Sequence, residues 1–158
     1  MTELLALFAL LKSSMILNLL TAIEDCRTIR GRYYEHGDRK GCLVYWLSGC
    51  SIFSREDRDV WIAEIAGKRN VDDVRKLVAQ VISNWDSVEP HAIIKGAGYD
   101  KEYPPATCQL TADQVRTAAK AVLLRRRERR RTSAARRGKM RSEAFVNTVA
   151  VGRETVLA

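Results

Sequence analysis

Soft metal ligands are scarce in this chain: two histidines, His36 and His91, and four cysteines, Cys26, Cys42, Cys50 and Cys108. No two cysteines form a CxxC pair, which argues against zinc ribbons, thioredoxin-like redox motifs and the disulfide frameworks of small secreted domains. A zinc site would have to be assembled from Cys26, His36, Cys42 and Cys50 across irregular gaps, so reduced thiols, mostly buried, are the simpler expectation, and with them a cytoplasmic location. Proline is rarer still. All three prolines, Pro90, Pro104 and Pro105, fall within residues 86–110, leaving the rest of the chain open to helix. Aromatic residues are 7% of the total, and none lies between Arg116 and Arg141. Base stacking on a ring platform is therefore unsupported in that stretch.

A long apolar run free of charge is also missing. Residues 4–23, LLALFALLKSSMILNLLTAI, come nearest, but Lys12, Ser13, Ser14, Asn18 and Thr21 interrupt them, and a charge at the centre of a spanning helix costs about 2.5–3.5 kcal/mol. Ser14, Asn18, Thr21 and Asp25 step by four, three and four, a polar helix face opposite Leu11, Met15, Leu19, Ala22, Ile23 and Cys26. A core helix is expected, with membrane contact or self-association of residues 4–11 as the alternative. Glu3 as the only charge before the run disfavours a signal peptide, and the polar face beginning at Ser14 allows Met15 as an alternative start.

What is present is an average globular composition: 158 residues, 46% apolar and 29% charged, which excludes wholesale disorder and suits one compact domain with tails or two very small ones. After Arg30, three glycines in GRYYEHGDRKG predict a loop or frayed helix end over 31–41. CLVYWLSGCSIF is apolar nearly all round; a buried helix is favoured, with a strand left open. Ser54 followed by Asp57 predicts an N-cap for a helix of residues 55–69 that buries Val60, Trp61, Ile65 and Ala66 and turns Arg58, Asp59 and Lys68 to water. Asn70 predicts a cap for a further helix, with Val71, Val74, Leu77, Val78, Val81, Ile82 and Trp85 on its apolar stripe. Trp61 and Trp85 are core candidates, whereas the side of Trp46 is open. Short connections between such helices imply antiparallel neighbours. The expected fold is all-α: a small antiparallel helical bundle over 1–85, a linker or ordered loop over 86–110, and a basic C-terminal helix and tail over 111–158.

The stretch REDRDVWIAEIAGKRNVDDVRKLVAQVISNW, residues 55–85, resembles a helix pair of small uncharacterised phage and prophage proteins. That resemblance covers about a fifth of the chain and implies a helical body and a mobile-element context, without catalytic residues.

Thr111 and Gln114 match a capping box, and the residues after them predict a helix of 112–131 with Val115, Ala118, Ala119, Val122 and Leu123 on its apolar side. The closing EAFVNTVAVGRETVLA fits a strand, a helix or a frayed end. Residues 116–158 hold thirteen basic and three acidic side chains, against fourteen and sixteen in residues 1–115. Ten cations concentrate in residues 125–141: Arg125, Arg126, Arg127, Arg129, Arg130, Arg131, Arg136, Arg137, Lys139 and Arg141, opposed by Glu128 alone. Planar guanidinium groups bridge phosphates through two donors, so the expected partner is nucleic acid, DNA or RNA, held through its backbone without sequence reading. An acidic protein or an anionic lipid surface is the alternative polyanion, and homo-oligomerisation is a further option. No catalytic constellation, cofactor motif or metal cluster is evident: Asp57, Asp59, Asp72 and Asp73 read as helix-start charges, and the GAG at 96–98 lacks the strand and the Lys-Ser/Thr pair of a phosphate loop. A non-enzymatic binding protein is expected.

Overall fold

The computed structural model describes the backbone of residues 1–30, 33–35, 37, 39–86 and 110–157, and side chains within these as far as residue 148. The described residues are mainly helical. In chain order they form α1 (Thr2–Leu10), α2 (Ser13–Glu24), the strands β1 (Tyr34–Glu35) and β2 (Lys40–Gly41), α3 (Leu43–Leu47), α4 (Arg55–Ala66), α5 (Val71–Trp85) and α6 (Ala112–Leu157). The chain divides into two compact units, Met1–Val122 and Leu123–Ala158, so α6 begins in the first and supplies the second.

The N-terminal apolar run is two helices rather than one. Leu4, Leu7, Phe8 and Leu11 are buried at the spacing of one helix face, and Ile16, Leu19 and Ile23 at that of another. The step of five from Leu11 to Ile16 breaks the three-four rhythm. Extended backbone at Leu11 (φ −95°, ψ 147°) and Lys12 (φ −65°, ψ 149°) absorbs the phase change and leaves Lys12 exposed. Two members of the expected apolar face are displaced as a result: Met15 is only partly buried and Cys26 is exposed.

The glycine-rich stretch expected as a loop carries a short antiparallel ribbon, with Tyr34 opposite Gly41 and Glu35 opposite Lys40. Its second strand is also tied to the end of α2: Gly41 N–H donates to the Arg27 carbonyl (3.0 Å), and Ile29 N–H donates to the Gly41 carbonyl (2.9 Å). Tyr45 of α3 closes the corner, stacked on Tyr34 at 4.5 Å between centroids and edge-on to Tyr33 (5.4 Å) and Trp46 (4.9 Å). Residues 43–47 are helical, the favoured of the two readings.

Both expected caps form. Ser54 Oγ accepts from Asp57 N–H at 3.1 Å, and Asn70 Oδ1 accepts from Asp73 N–H at 3.1 Å, each satisfying a backbone donor that the first turn leaves without a partner. The Asp57 carboxylate accepts in turn from Phe53 N–H. Helix α4 ends earlier than expected, at Ala66 before Gly67, and its buried face is rotated: Arg58, Trp61, Ile62, Ile65 and Ala66 point inward, while Val60 is 68% exposed. Positions 58, 61, 62, 65 and 66 make a continuous helical stripe once an arginine is admitted to it. Arg58, 2% exposed, donates from Nε and Nη2 to Asp59 Oδ1 at 3.3 and 3.2 Å, and the carboxylate offsets the cost of burying that charge.

Helix α5 is the organising element, packing against α1, α3 and α4. Val74, Val78, Val81 and Trp85 are buried as expected, whereas Leu77 and Ile82 are partly buried and Val71 is exposed. Its last turn is buried on several sides, Ser83, Asn84 and Asp86 included.

Candidate nucleic-acid interface

The site starts at the root of α6. Thr111 and Gln114 form the reciprocal capping box: Gln114 N–H donates to Thr111 Oγ1 (3.1 Å), and Thr111 N–H donates to Gln114 Oε1 (2.9 Å). Leu110, Val115, Ala118 and Ala119 are buried in the first unit, and Val122 and Leu123 are partly buried. Polar contacts reinforce this seat. Leu110 N–H donates to the Asn84 carbonyl (2.8 Å), and Glu24 of α2 receives both Arg116 (3.2 Å) and Lys120 (3.3 Å).

Arg30 completes the anchorage. One of its Nη atoms donates to the Trp85 carbonyl and the other to the Leu110 carbonyl at 2.7 Å, while its guanidinium carbon lies 3.7 Å from the Trp85 ring centroid. The indole Nε1–H of Trp85 in turn donates to the Ile29 carbonyl at 2.8 Å. One side chain therefore ties the last residue of α5 to the residue that precedes the α6 capping box. No local sequence pattern marks Arg30, because its partners lie 55 and 80 residues away.

Beyond Val122 the helix continues unbroken through all ten cationic positions and on to Leu157, well past the expected end near Arg131. The closing segment, for which strand, helix and frayed end had stayed open, is helical through Leu157. Nine of the ten cationic side chains are exposed, and Arg126 is partly buried. At 1.5 Å per residue, residues 125–141 cover about 24 Å of helix axis. With about 100° per residue, Arg125, Arg129 and Arg136 form one ridge, and Arg126, Arg130, Arg137 and Arg141 form the next. These seven occupy an arc of about 160°. Arg127, Arg131 and Lys139 lie outside the arc, on the side that also holds Glu128, Ala135 and Ser142. The positions the sequence singled out thus belong to one continuous helix and are concentrated on one side of it.

Charge divides with the two units. Residues 1–122 carry sixteen basic and sixteen acidic side chains, whereas residues 123–158 carry eleven basic and three acidic ones. The whole formal charge of +8 therefore belongs to the second unit. Four pairs of arginines sit at i,i+4 within it: 125/129, 126/130, 127/131 and 137/141. Such like-charge pairs oppose the helix by about 0.2–0.5 kcal/mol each at low salt. A polyanion relieves that repulsion.

The remaining candidates scatter. Cys42 is buried, Cys50 partly buried and Cys26 exposed, and among the described residues no three His, Cys, Asp or Glu side chains could hold a metal ion. His36, His91, Tyr99, Cys108 and the expected linker lie outside the described residues, apart from the buried Asp86 and Leu110 at its two ends. Burial pushes the Cys42 thiol up to about 12, with the negative charge of Asp86 acting in the same direction. Among the described residues no helix is long and apolar enough to cross a membrane. No family model, curated protein or solved structure matches the chain.

Proposed function

We propose that this is a nonspecific nucleic-acid-binding accessory protein. Its body is a small antiparallel helical bundle, and its arginine-rich α6 holds DNA or RNA through the phosphate backbone. The reading rests on one observation above all: every unit of net charge belongs to residues 123–158, with ten cations along about four and a half turns of α6 and a single carboxylate among them. Neutralising phosphates releases their condensed counterions, which supplies a sequence-independent driving force. Nothing along residues 125–141 offers a ring for stacking, and the helix is read as holding the phosphate backbone rather than selecting a sequence. A cytoplasmic setting and a phage or other mobile-element origin, the latter from the resemblance of residues 55–85, complete the proposal.

A second reading is favoured by Phe53, 78% exposed, and Val60, 68% exposed, two large apolar side chains presented at and just before α4. On it the protein is an adaptor or inhibitor whose helical body contacts a host or phage protein.

Titration of labelled duplex DNA and RNA over a salt series, with the full chain and a chain ending at Leu124, tests the first reading. It expects binding that the truncation abolishes and a log-affinity slope of about −0.9 per neutralised phosphate on DNA. Equal, negligible binding by both chains rejects it. Co-purification of a protein that survives nuclease treatment and is lost on Phe53→Ser with Val60→Ser supports the second.

A further inference from the structure

We infer that the groove between α2 and α3 binds a single nucleobase with its phosphate, which gives the protein the ring platform that α6 lacks. This deepens the nucleic-acid reading and rests on it for the source of the base.

The groove encloses about 250 Å3 and is lined by Asn18, Thr21 and Asp25 along α2, Arg27 just beyond it, and Trp46 and Cys50 from α3 and the turn that follows. Three of these residues are the polar helix face that the sequence displays at 18, 21 and 25, all of them exposed. Pockets for larger organic ligands begin at about 300 Å3, so the space suits an occupant of about the size of one base.

The chemistry of the walls narrows the class. Asp25 and Arg27 line the groove with opposite charges, which disfavours a simple anion and a simple cation alike. Asn18 and Thr21 add an amide and a hydroxyl, four kinds of hydrogen-bonding group in one groove, and a purely apolar ligand would leave them unpaired at a cost. Trp46 adds an aromatic ring to this lining. Trp46 is partly buried, and its orientation is fixed twice: its Nε1–H donates to the Arg27 carbonyl at 3.2 Å, and its ring meets Tyr45 edge-on at 4.9 Å. A ring held in this way loses little freedom on accepting a stacked partner. A flat, π-faced ligand with donors and acceptors on its edge and an attached anion satisfies every group: the base stacks on Trp46, Asn18 and Asp25 read its edge, and Arg27 takes the phosphate. Base stacking of this kind tolerates every base, in keeping with nonspecific binding by α6.

Trp46→Phe makes the test clean. Trp61 is 3% exposed, but Trp85, 2% exposed, lines a separate groove beside Arg30, so only quenching of tryptophan emission that Trp46→Phe abolishes reports on Trp46, and quenching that persists in that variant overturns the inference. The full chain is titrated with AMP and UMP, with inorganic phosphate, with a short single strand and with a duplex of the same sequence. Saturable quenching by the mononucleotides and the single strand is expected, with phosphate inert. Asn18→Ala with Asp25→Ala, both exposed positions, should weaken it at least tenfold without moving the thermal midpoint by more than two degrees. Tighter binding of the single strand than of AMP assigns the base to a strand, and equal affinity assigns a free nucleotide. Absence of saturable quenching, equal quenching by phosphate, or groove variants that bind like the parent overturns the inference. A chain with Arg129, Arg130, Arg136 and Arg137 changed to Gln separates the two proposals: it should lose duplex binding and keep nucleotide quenching. Quenching in the parent chain without any duplex binding would reject the α6 reading alone.

Discussion

Two double substitutions on α6 test whether its charge acts as a face or as a cloud. Arg129 and Arg136 lie about 20° apart on the same ridge, inside the arc of seven arginines, whereas Arg131 and Lys139 lie outside it. Arg129→Gln with Arg136→Gln and Arg131→Gln with Lys139→Gln each remove two positive charges and retain good helix formers. Duplex DNA carries a phosphate about every 1.7 Å of axis, so the 24 Å segment passes about fourteen of them, enough to engage all seven arginines of the arc at once. The parent slope of log affinity against log salt should then be about −6. Removing two engaged cations should reduce its magnitude by about 1.8 and weaken binding on the order of 60-fold at 0.1 M salt, when affinity extrapolated to 1 M is unchanged. Removing the two outside the arc should move the slope by less than 0.5, an estimate that follows from the same relation.

Fluorescence anisotropy with a labelled duplex between about 50 and 200 mM salt resolves this difference, over the range in which phosphate-contacting proteins lose orders of magnitude in affinity. Circular dichroism of each variant confirms that helix content is retained. Equal changes in slope for the two doubles would refute the facial geometry, because a disordered or freely rotating polycation does not distinguish the positions. No change in either would refute the electrostatic mechanism itself.

Four further outcomes follow from particular contacts. Gly41→Ala should destabilise the protein by about 1–3 kcal/mol in urea unfolding, since a Cβ there overlaps the Tyr45 ring, itself held by three aromatic neighbours; a change below 0.5 kcal/mol, smaller than the usual cost of overpacking, would mean that the ring has room to move. Gly138→Ala meets nothing within 4 Å and lies mid-helix, so it should add about 0.5–1 kcal/mol to α6, visible as increased ellipticity at low salt, with duplex binding unimpaired. Thr111→Ala removes one half of the capping box and should cost about 1 kcal/mol in the same urea assay, with Thr111→Ser restoring most of it. The Cys42 thiol, raised from 9.0 to about 12, binds its proton more tightly in the folded chain, so stability should fall as pH rises through this window, by about 1.4 kcal/mol per pH unit above 9. Cys42→Ala should remove the fall between pH 9 and 10 and leave the part above pH 10 that the buried Tyr45 phenol, also pushed up by burial, contributes; alkylation of the native protein at pH 8 should modify Cys26 while sparing Cys42.

Much of the body was legible because its signals are local. A cap needs only a residue and its third neighbour, and Ser54, Asn70 and Thr111 each accept the bond that their spacing implies. Trp61 and Trp85 fall on stripes that repeat every three or four residues and are buried accordingly. The failures share a different cause. The face of α4 was misread because Arg58 counts as polar in any pattern, yet its guanidinium is neutralised by its own neighbour Asp59 and goes inside, which rotates Val60 outward. The ribbon at Tyr34 and Gly41 depends on bonds to Arg27 and Ile29 and on the Tyr45 ring, none of which a sliding window joins. Helix α6 outran its expected end because Thr132, Ser133 and Gly138 are weak helix formers set among strong ones, and Ala134, Ala135 and the flanking arginines carry the helix across. At the candidate site the ten positions and the chemistry of their side chains were legible. Their concentration on one side of a continuous helix, and the Arg30 fork at its root, were not.

The division of charge also bears on what the arginines are for. Cations that stabilise a fold are matched by carboxylates of the same fold, and in the first unit they are: sixteen of each sign balance. Several of those carboxylates already have work. Asp57, Asp72, Asp73 and Asp113 sit in first helical turns, where they suit the helix dipole, Asp59 meets Arg58 and Arg75, and Glu24 receives Arg116 and Lys120. No surplus of negative charge is left in residues 1–122 to neutralise residues 123–158. Within the second unit Glu128, Glu143 and Glu154 are set against eleven cations, and the ion pair of Lys139 with Glu143 spans 4.0 Å between two exposed groups and contributes little. Four repulsive i,i+4 pairs cost the free helix about 1–2 kcal/mol at low salt. A helix that is less stable alone than when neutralised binds a polyanion with a helicity gain, so ellipticity and phosphate binding should rise together along one titration. They should also fall together as salt displaces the polyanion, and a helix content that stays constant while binding saturates would break the link between the arginines and an external anion.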